Sequence, residues 1–337
     1  MPFRDVVGHV RLVDLLSRSI AGGTLPPSLL FAGPAGVGKH LMALAVAQAL
    51  NCLRAGHRAQ GSGIDACGTC AACTRIARGV HPDVLFVTPG DNGSIKIEQV
   101  LDVVGRAHYR PFEGRRRVVI IDEADALTSS AQNALLKTLE EPPSLSVFIL
   151  VSAKADSLLP TVLSRCPQLR FRSLSTDEIA RALIARGHGE SEARSVAATA
   201  DGSLSHAMQA SAEDVVLSRD LARKVLTQVA ARPEPARRID SAKDLLTKPP
   251  SGVTEREQMA THLRAMSVLL RDVEVLATGA DASLLANPDI RGELEPLVEC
   301  YDGERGTQAY AAVDRALLAI TRNVSVKLVA DWLVLQL

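Results

Sequence analysis

The chain has 337 residues, 47% of them apolar and 23% charged, which is enough for two or three domains with full cores and excludes a disordered chain. Lys+Arg and Asp+Glu balance at 38 each and aromatic residues make up 3%. Those counts exclude a net basic field able to hold nucleic acid alone, and also a base-stacking platform. Every long apolar stretch is cut by charge, as Lys39 cuts Leu29 to Leu50, so no membrane span is expected. The opening Met1-Pro-Phe-Arg-Asp5 carries an acid and no leader-like apolar run, so a cytoplasmic protein is expected.

Residues 1 to 172 alternate short β-branched runs with helical patterns, which predicts an α/β domain with a mainly parallel sheet. The first strand candidate, Ser28 to Ala32, runs into Gly33-Pro-Ala-Gly36-Val-Gly38-Lys39-His40 and then a helical stretch, Leu41 to Leu50. This is G-x-x-x-x-G-K in the strand, loop, helix order that a phosphate-binding loop requires. Its N–H groups and helix N-terminus favour phosphate, and Lys39 would reach the terminal phosphates. A purely structural loop is the competing reading. His40 stands where a Ser or Thr hydroxyl normally meets magnesium, and an imidazole is a poor ligand for that hard ion. ATP or ADP with Mg2+ is therefore expected only at a weakened site.

Cys52 ends the loop helix, and Cys67, Cys70 and Cys73 follow in a polar, Gly-rich insertion, a module of about 52–81. Four thiolates close a tetrahedral structural Zn2+ site with no open position for substrate water. A redox pair and unliganded thiols are the alternatives, and His57 or His81 could replace the first ligand. The strand Val84 to Val87 follows, and then Arg117 to Ile121, which ends in Asp122-Glu123-Ala-Asp125. There Asp122 would hold magnesium through water and Glu123 would polarise an attacking water; a solvated strand end is the bland alternative. The fourth strand candidate is Ser146 to Val151.

After Phe171 the strand runs stop. Ser175 with Glu178 forms a capping box that opens a helix over Ile179 to Ala185, a second helix spans Glu190 to Ala200, and a third starts near Ser203. Residues 173–212 read as a small helical domain. From 213 to 337 the pattern is helical, broken at Arg232-Pro-Glu-Pro235, Lys248-Pro-Pro-Ser-Gly252, Thr278-Gly-Ala280 and Asn287-Pro288; four or five helices fit. On one of them Ala260, Leu263, Met266, Val268, Leu269, Val273 and Leu276 make a wide apolar face. That face is either a bundle core or, in part, a surface for neighbouring subunits. Cys166 and Cys300 read as packed residues.

The chain resembles AAA+ proteins, and within them the bacterial replicative clamp loader. The resemblance runs through its whole length and is most specific at Asn133-Ala-Leu-Leu-Lys-Thr-Leu-Glu-Glu-Pro-Pro143 and Ser164-Arg165-Cys166. It implies an AAA+ core with a zinc-module insertion (1–172), a helical lid (173–212) and an all-helical collar (213–337). It implies that Arg165 is an arginine finger reaching a neighbour's ATP, and that Ser152 stands at the first nucleotide sensor. The second sensor's arginine is missing from Gly202-Ser203-Leu204-Ser205-His206. The cysteine arrangement also occurs in this family.

An impaired own site beside an intact finger resembles the delta-prime branch of the family rather than the gamma/tau motor. The opening Phe3-Arg-Asp-Val-Val-Gly8, the pattern Leu269-Leu-Arg-Asp272 with Asn287-Pro-Asp289, and the lack of a tau-like extension point the same way. The implied role is a stator in a heteropentamer with gamma/tau and delta subunits. That assembly uses ATP to place a sliding clamp on primed DNA, and the chain alone is not expected to be an active ATPase. A working gamma/tau-type ATPase is the alternative. A helicase loader or branch-migration motor is disfavoured by Leu139-Glu-Glu-Pro-Pro143 with Ser164-Arg-Cys166.

Overall fold

The computed structural model describes residues 1–57, 63–90, 92–209, 212–231, 234–247, 249, 253–281, 284–322 and 324–337. Residues 58–62 of the insertion, and residues 232–233, 248 and 250–252 of the two proline-rich breaks, lie outside the described residues. The chain divides into two compact units, Met1–Leu174 with Ser203–Ser205, and Ser175–Gly202 with His206–Leu337.

In the first unit, β1 (Ser28–Ala32) precedes a small antiparallel hairpin, β2 (Gly56–His57) with β3 (Ile64–Asp65). The strands β4 (Val84–Val87), β5 (Arg117–Ile121), β6 (Ser146–Ser152) and β7 (Gln168–Arg170) join β1 in a parallel sheet ordered β4-β5-β6-β1-β7. Every residue of β1, β5 and β6 is buried, as expected of parallel strands covered on both faces.

The period-2 pleat divides these runs between two cores. Leu29, Phe31, Val118, Ile120, Val147 and Ile149 face one cluster, which includes Val13 and Leu16 of α1 (Val10–Ala21) and Met42 and Val46 of α2 (Lys39–Asn51). A short helix in the insertion, α3 (Ala71–Ala77), adds Ile76 to that face. Leu30, Val119, Ile121, Phe148 and Leu150 face the other, with Val100 and Val103 of α4 (Ile97–Ala107) and Leu135 and Leu139 of α5 (Ser129–Glu140). The short α6 (Pro160–Leu163) closes that side through Val162. Thr128 caps α5, its side-chain oxygen accepting the Ala131 N–H at 3.3 Å.

The second unit opens with the expected capping box: Ser175 Oγ accepts the Glu178 N–H at 3.2 Å, and the Ser175 N–H donates to Glu178 Oε2 at 2.9 Å. It contains α7 (Thr176–Ile184) and α8 (Glu190–Thr199); α9 (Leu204–Gln209) begins in residues grouped with the first unit. Then come α10 (Ala212–Ala230), α11 (Pro235–Leu245), α12 (Glu255–Ala277), α13 (Arg291–Val298), α14 (Gly303–Thr321) and α15 (Val326–Gln336). Six helices therefore follow residue 211 among the described residues, where the sequence suggested four or five. The short, proline-started α11 and the proline-containing α13 carry too few periodic residues to stand out.

On α12, Leu263, Met266, Leu269 and Val273 are fully buried in the core, with Ala260 and Leu276 packed against it. Val268 is only half-buried. The two parts of the pattern around Asp272 and Asn287 meet directly. Buried Asp272 accepts the N–H groups of Ala286 and Asn287, each at 2.9 Å, and the Asn287 side-chain amide at 2.8 Å. No helix among the described residues is long and apolar enough to cross a membrane.

Candidate functional site

The loop between β1 and α2 needs glycine for physical reasons. Gly33 has φ +150°, and a Cβ there would lie 2.2 Å from the carbonyl oxygen of Phe171. Gly36 has φ +72°, and its Cβ would fall 1.9 Å from Ser203 Oγ. Any side chain would collide at either place. The Gly36 carbonyl also accepts the Ser205 N–H at 3.2 Å, so Ser203 and Ser205 of the stretch singled out in the sequence do touch this loop. Gly38 is the N-cap of α2. The buried His9 ring, which nothing in the sequence pattern flags, reaches the Val37 carbonyl at 3.0 Å and packs edge-on against Phe171.

Lys39 is buried at the first position of α2, its ammonium donating to the Gly33 carbonyl at 2.7 Å and to the Pro34 carbonyl. Burial pushes its pKa down, against the pull of Asp122 and Asp125 in the other direction. A desolvated lysine at the mouth of a loop of N–H groups gains most when a phosphate arrives to replace those carbonyls.

At the end of β5, Asp122 faces His40, with Nδ1 2.7 Å from Oδ2. Burial works to raise the Asp122 carboxyl, but His40, the Glu123 N–H at 3.0 Å and the Lys39 charge outweigh it, so the group lies below its ordinary value. Glu123 is exposed and sits in the left-handed region at φ +49°, a strained conformation for a non-glycine residue.

Ser152, fully buried at the end of β6 and paired in register with Ala32, donates from Oγ to Asp125 Oδ1 at 2.9 Å. The same hydroxyl accepts the Lys154 N–H, and the same carboxylate oxygen accepts the Ala153 N–H, both at 3.0 Å. The structure thus gathers Gly33, Gly36, Gly38, Lys39, His40, Asp122 and Ser152 at the carboxyl ends of the neighbouring strands β5, β6 and β1, with the Ser152 hydroxyl already engaged.

Arg165 follows α6. Its guanidinium bonds Glu140, in the Glu-Glu-Pro-Pro turn at the end of α5, and also the Thr161 carbonyl at 2.8 Å and Ser164 Oγ at 3.2 Å. The side chain is about a third exposed, with 32% of its surface free. The two stretches most specific to the resemblance therefore meet through one ion pair. Cys166 beside it is buried, which pushes its thiol up to about 11.

The four cysteines Cys52, Cys67, Cys70 and Cys73 come together with their sulfurs all within 4.8 Å of one another. Cys52 and Cys70 sulfurs are 3.9 Å apart, against about 3.8 Å for the edge of a tetrahedron with 2.3 Å metal–sulfur bonds. The set fits a metal ion. Amide groups point at the sulfurs as they do toward thiolates: Cys67 N–H to Cys52 Sγ at 3.2 Å, and Cys70 N–H to Cys67 Sγ at 3.3 Å. Burial works to raise the Cys67 thiol, but the N–H groups of Thr69 and Cys70, the Thr69 hydroxyl and Cys52 pull it down to about 5. Cys70 also lies low, whereas burial holds Cys52 and Cys73 high. His81 is not among the clustered ligands. Its Nδ1 accepts the Asp83 N–H at 3.1 Å, and its Nε2 lies 3.3 Å from Glu113. The His57 side chain lies outside the described residues.

The module is tied to the start of the chain. Asp65 accepts the N–H of Phe3 at 2.8 Å and of Arg4 at 3.3 Å, and the Arg4 guanidinium donates to the carbonyls of Ala66 and Cys67, both at 2.9 Å.

A glycine loop seated between a parallel strand and a helix, with a lysine at the helix start and an acidic strand end alongside, is the arrangement of the P-loop fold class. Residues 8–175 match the family described as DNA polymerase III, delta subunit. The tau subunit of DNA polymerase III from Salmonella typhimurium is 34% identical over 214 residues, covering 61% of this chain and 32% of that protein. The delta' subunit from Pseudomonas aeruginosa is 40% identical over 156 residues, covering 45% of this chain and 46% of that one. Among solved structures, a gamma subunit-related protein of DNA polymerase III from Thermotoga maritima is similar at 18% identity, with 95% of this chain and 96% of that one covered and a TM-score of 0.46. The chain thus spans about a third of the tau relative's length and under half of the delta' relative's. Through residues 8–175 it belongs to the clamp-loader family of AAA+ proteins.

Proposed function

We propose that the chain is a delta-prime-type stator of a DNA polymerase III clamp loader, presenting Arg165 to ATP held by an adjoining gamma/tau subunit. The observation that carries this reading is a contrast between two sites. At the chain's own phosphate loop the groups that drive hydrolysis are diverted: His40 takes Asp122, Asp125 takes the Ser152 hydroxyl, and Ser205 stands where the second sensor's arginine is expected. Arg165 by contrast is intact and partly exposed, held by Glu140 and two neighbouring oxygens. An exposed ion pair of this kind is worth at most about 1 kcal/mol, so a neighbour's phosphates would outcompete it.

In this role residues 173–212 act as lid and 213–337 as collar, in a cytoplasmic hetero-oligomer with gamma/tau and delta subunits that loads a sliding clamp on primed DNA. The own loop, with Gly33, Gly36, Gly38 and Lys39, holds a nucleotide without turning it over. The four cysteines hold zinc, which replaces the hydrophobic core that the small module lacks.

The test of the stator reading is Arg165→Ala in the reconstituted complex. Assembly should be unchanged, while hydrolysis at the one site that Arg165 serves falls by about 10³-fold or more, lowering the ATPase of the complex. Unchanged ATPase would refute it. The tau relative and the intact Lys39 favour a second reading, a gamma/tau-type ATPase; sustained phosphate release by the isolated chain would establish that reading instead.

A further inference from the structure

Magnesium at a phosphate loop rests on two protein groups, a hydroxyl after the lysine that binds it directly and a strand-end carboxylate that holds one of its waters. Neither is free for that task here. His40 brings no oxygen to the first position. Its Nδ1 lies 2.7 Å from Asp122 Oδ2, the distance at which a cation-bound water would donate to that same oxygen. The other Asp122 oxygen accepts the Glu123 N–H at 3.0 Å, and the imidazole leans against Phe86 on β4, ring centroids 6.2 Å apart. The cation does not fit the residues present. What remains for a phosphate is metal-free: the loop N–H groups, the α2 N-terminus and the Lys39 ammonium.

We infer that this site excludes the divalent cation and takes its nucleotide as the metal-free polyphosphate, His40 standing in for the ion on Asp122. The inference rests on the loop being a nucleotide site, and the experiment separates the two. ADP is titrated onto the full chain by calorimetry, with excess Mg2+ and in magnesium-free buffer without chelator, so that metal on the cysteines is left in place. Mn2+ then serves as a paramagnetic probe of cation retained with ADP.

For the wild type, affinities within about threefold of each other and no retained Mn2+ are expected. For His40→Thr, which supplies the missing hydroxyl and frees Asp122, ADP should bind at least about tenfold more tightly with Mg2+ than without, and Mn2+ should be retained. A wild-type affinity that drops about tenfold on omitting Mg2+, or Mn2+ held by the wild type, overturns the inference. If the wild type binds no ADP in either buffer, the nucleotide reading fails. In that case a magnesium-dependent gain of binding in His40→Thr still upholds cation exclusion, and the absence of that gain overturns it too.

Discussion

Asp83 is a fully buried carboxylate just ahead of β4. It accepts three successive amides of the loop before β5, from Phe112 at 2.7 Å, Glu113 at 2.9 Å and Gly114 at 2.8 Å, and also the Arg117 guanidinium at 2.9 Å. Burial alone would raise the carboxyl, but these donors bring it down to about 2 from an ordinary 3.8. That difference corresponds to about 2 kcal/mol favouring the folded state. Because the folded value is the lower one, this contribution is complete above about pH 4 to 5 and is lost as the pH falls toward 2.

Asp83→Asn removes the charge opposite buried Arg117 and turns an amide NH2 toward backbone donors. The expected cost is about 3–5 kcal/mol, that of a buried pair broken on one side. Hydrogen exchange at the β4 and β5 amides measures the first unit. Trp332, the single tryptophan, packs against the core of the second and reports it by fluorescence. The variant should weaken protection of β4 and β5, remove the Asp83 share of the acid-dependent loss between about pH 4 and 2, and leave the Trp332 transition in place. A loss under about 1 kcal/mol in the first unit would refute the reasoning.

Removing metal from the cysteine module, or Cys73→Ser, should release β2 and β3 to exchange and free the Phe3 and Arg4 amides held by Asp65. Metal analysis should first give about one zinc per chain, and none, with four reactive thiols, would reject the site. Gly33→Ala should cost the first unit about 2–4 kcal/mol, because the atom it strikes is a backbone oxygen fixed where Phe171 N–H bonds Ala32 at 2.7 Å; unchanged exchange in β1 would contradict this. Asp272→Ala leaves three donors unpaired, the two of Asn287 buried and that of Ala286 half-buried, and should cost the second unit about 2–4 kcal/mol by the Trp332 transition, an unfolding midpoint that stays put being the contrary result.

The four strands read from the sequence are the ones whose residues are apolar on both faces. Ser28–Ala32, Val84–Val87 and Arg117–Ile121 form as expected, and the fourth extends one residue further, to Ser152. β7 escaped notice because Gln168, Leu169 and Arg170 carry no apolar pattern; only its pairing with Leu30 to Ala32 makes it a strand. The two-residue strands of the hairpin likewise carry no apolar pattern; Asp65 of β3 is held by the Phe3 and Arg4 amides and the Ile64 carbonyl by the Ser17 hydroxyl. At the site, the spacing of Gly33, Gly36, Gly38 and Lys39 sufficed to place the loop. Partner choice was not legible. No spacing rule pairs Ser152 with Asp125 or His40 with Asp122, which depend on the strand ends that the sheet order sets side by side, or Arg165 with Glu140, which depends on α5 and α6 packing in one core.

The strand order bears on how the protein emerges from a ribosome. β4 and β5 lie close in sequence and pair directly, Val84 opposite Val118, so they can close soon after synthesis. β1 is made first, yet its partners are Phe148 to Ser152 on one side and Gln168 to Arg170 on the other. The earliest-made strand therefore waits longest for neighbours, with the glycine loop unseated behind it. A nascent chain stalled after Ile121 would hold every residue of the phosphate loop and the His9 ring beside it, but not Ser152, Phe171 or Ser203, against which Gly33 and Gly36 are seated.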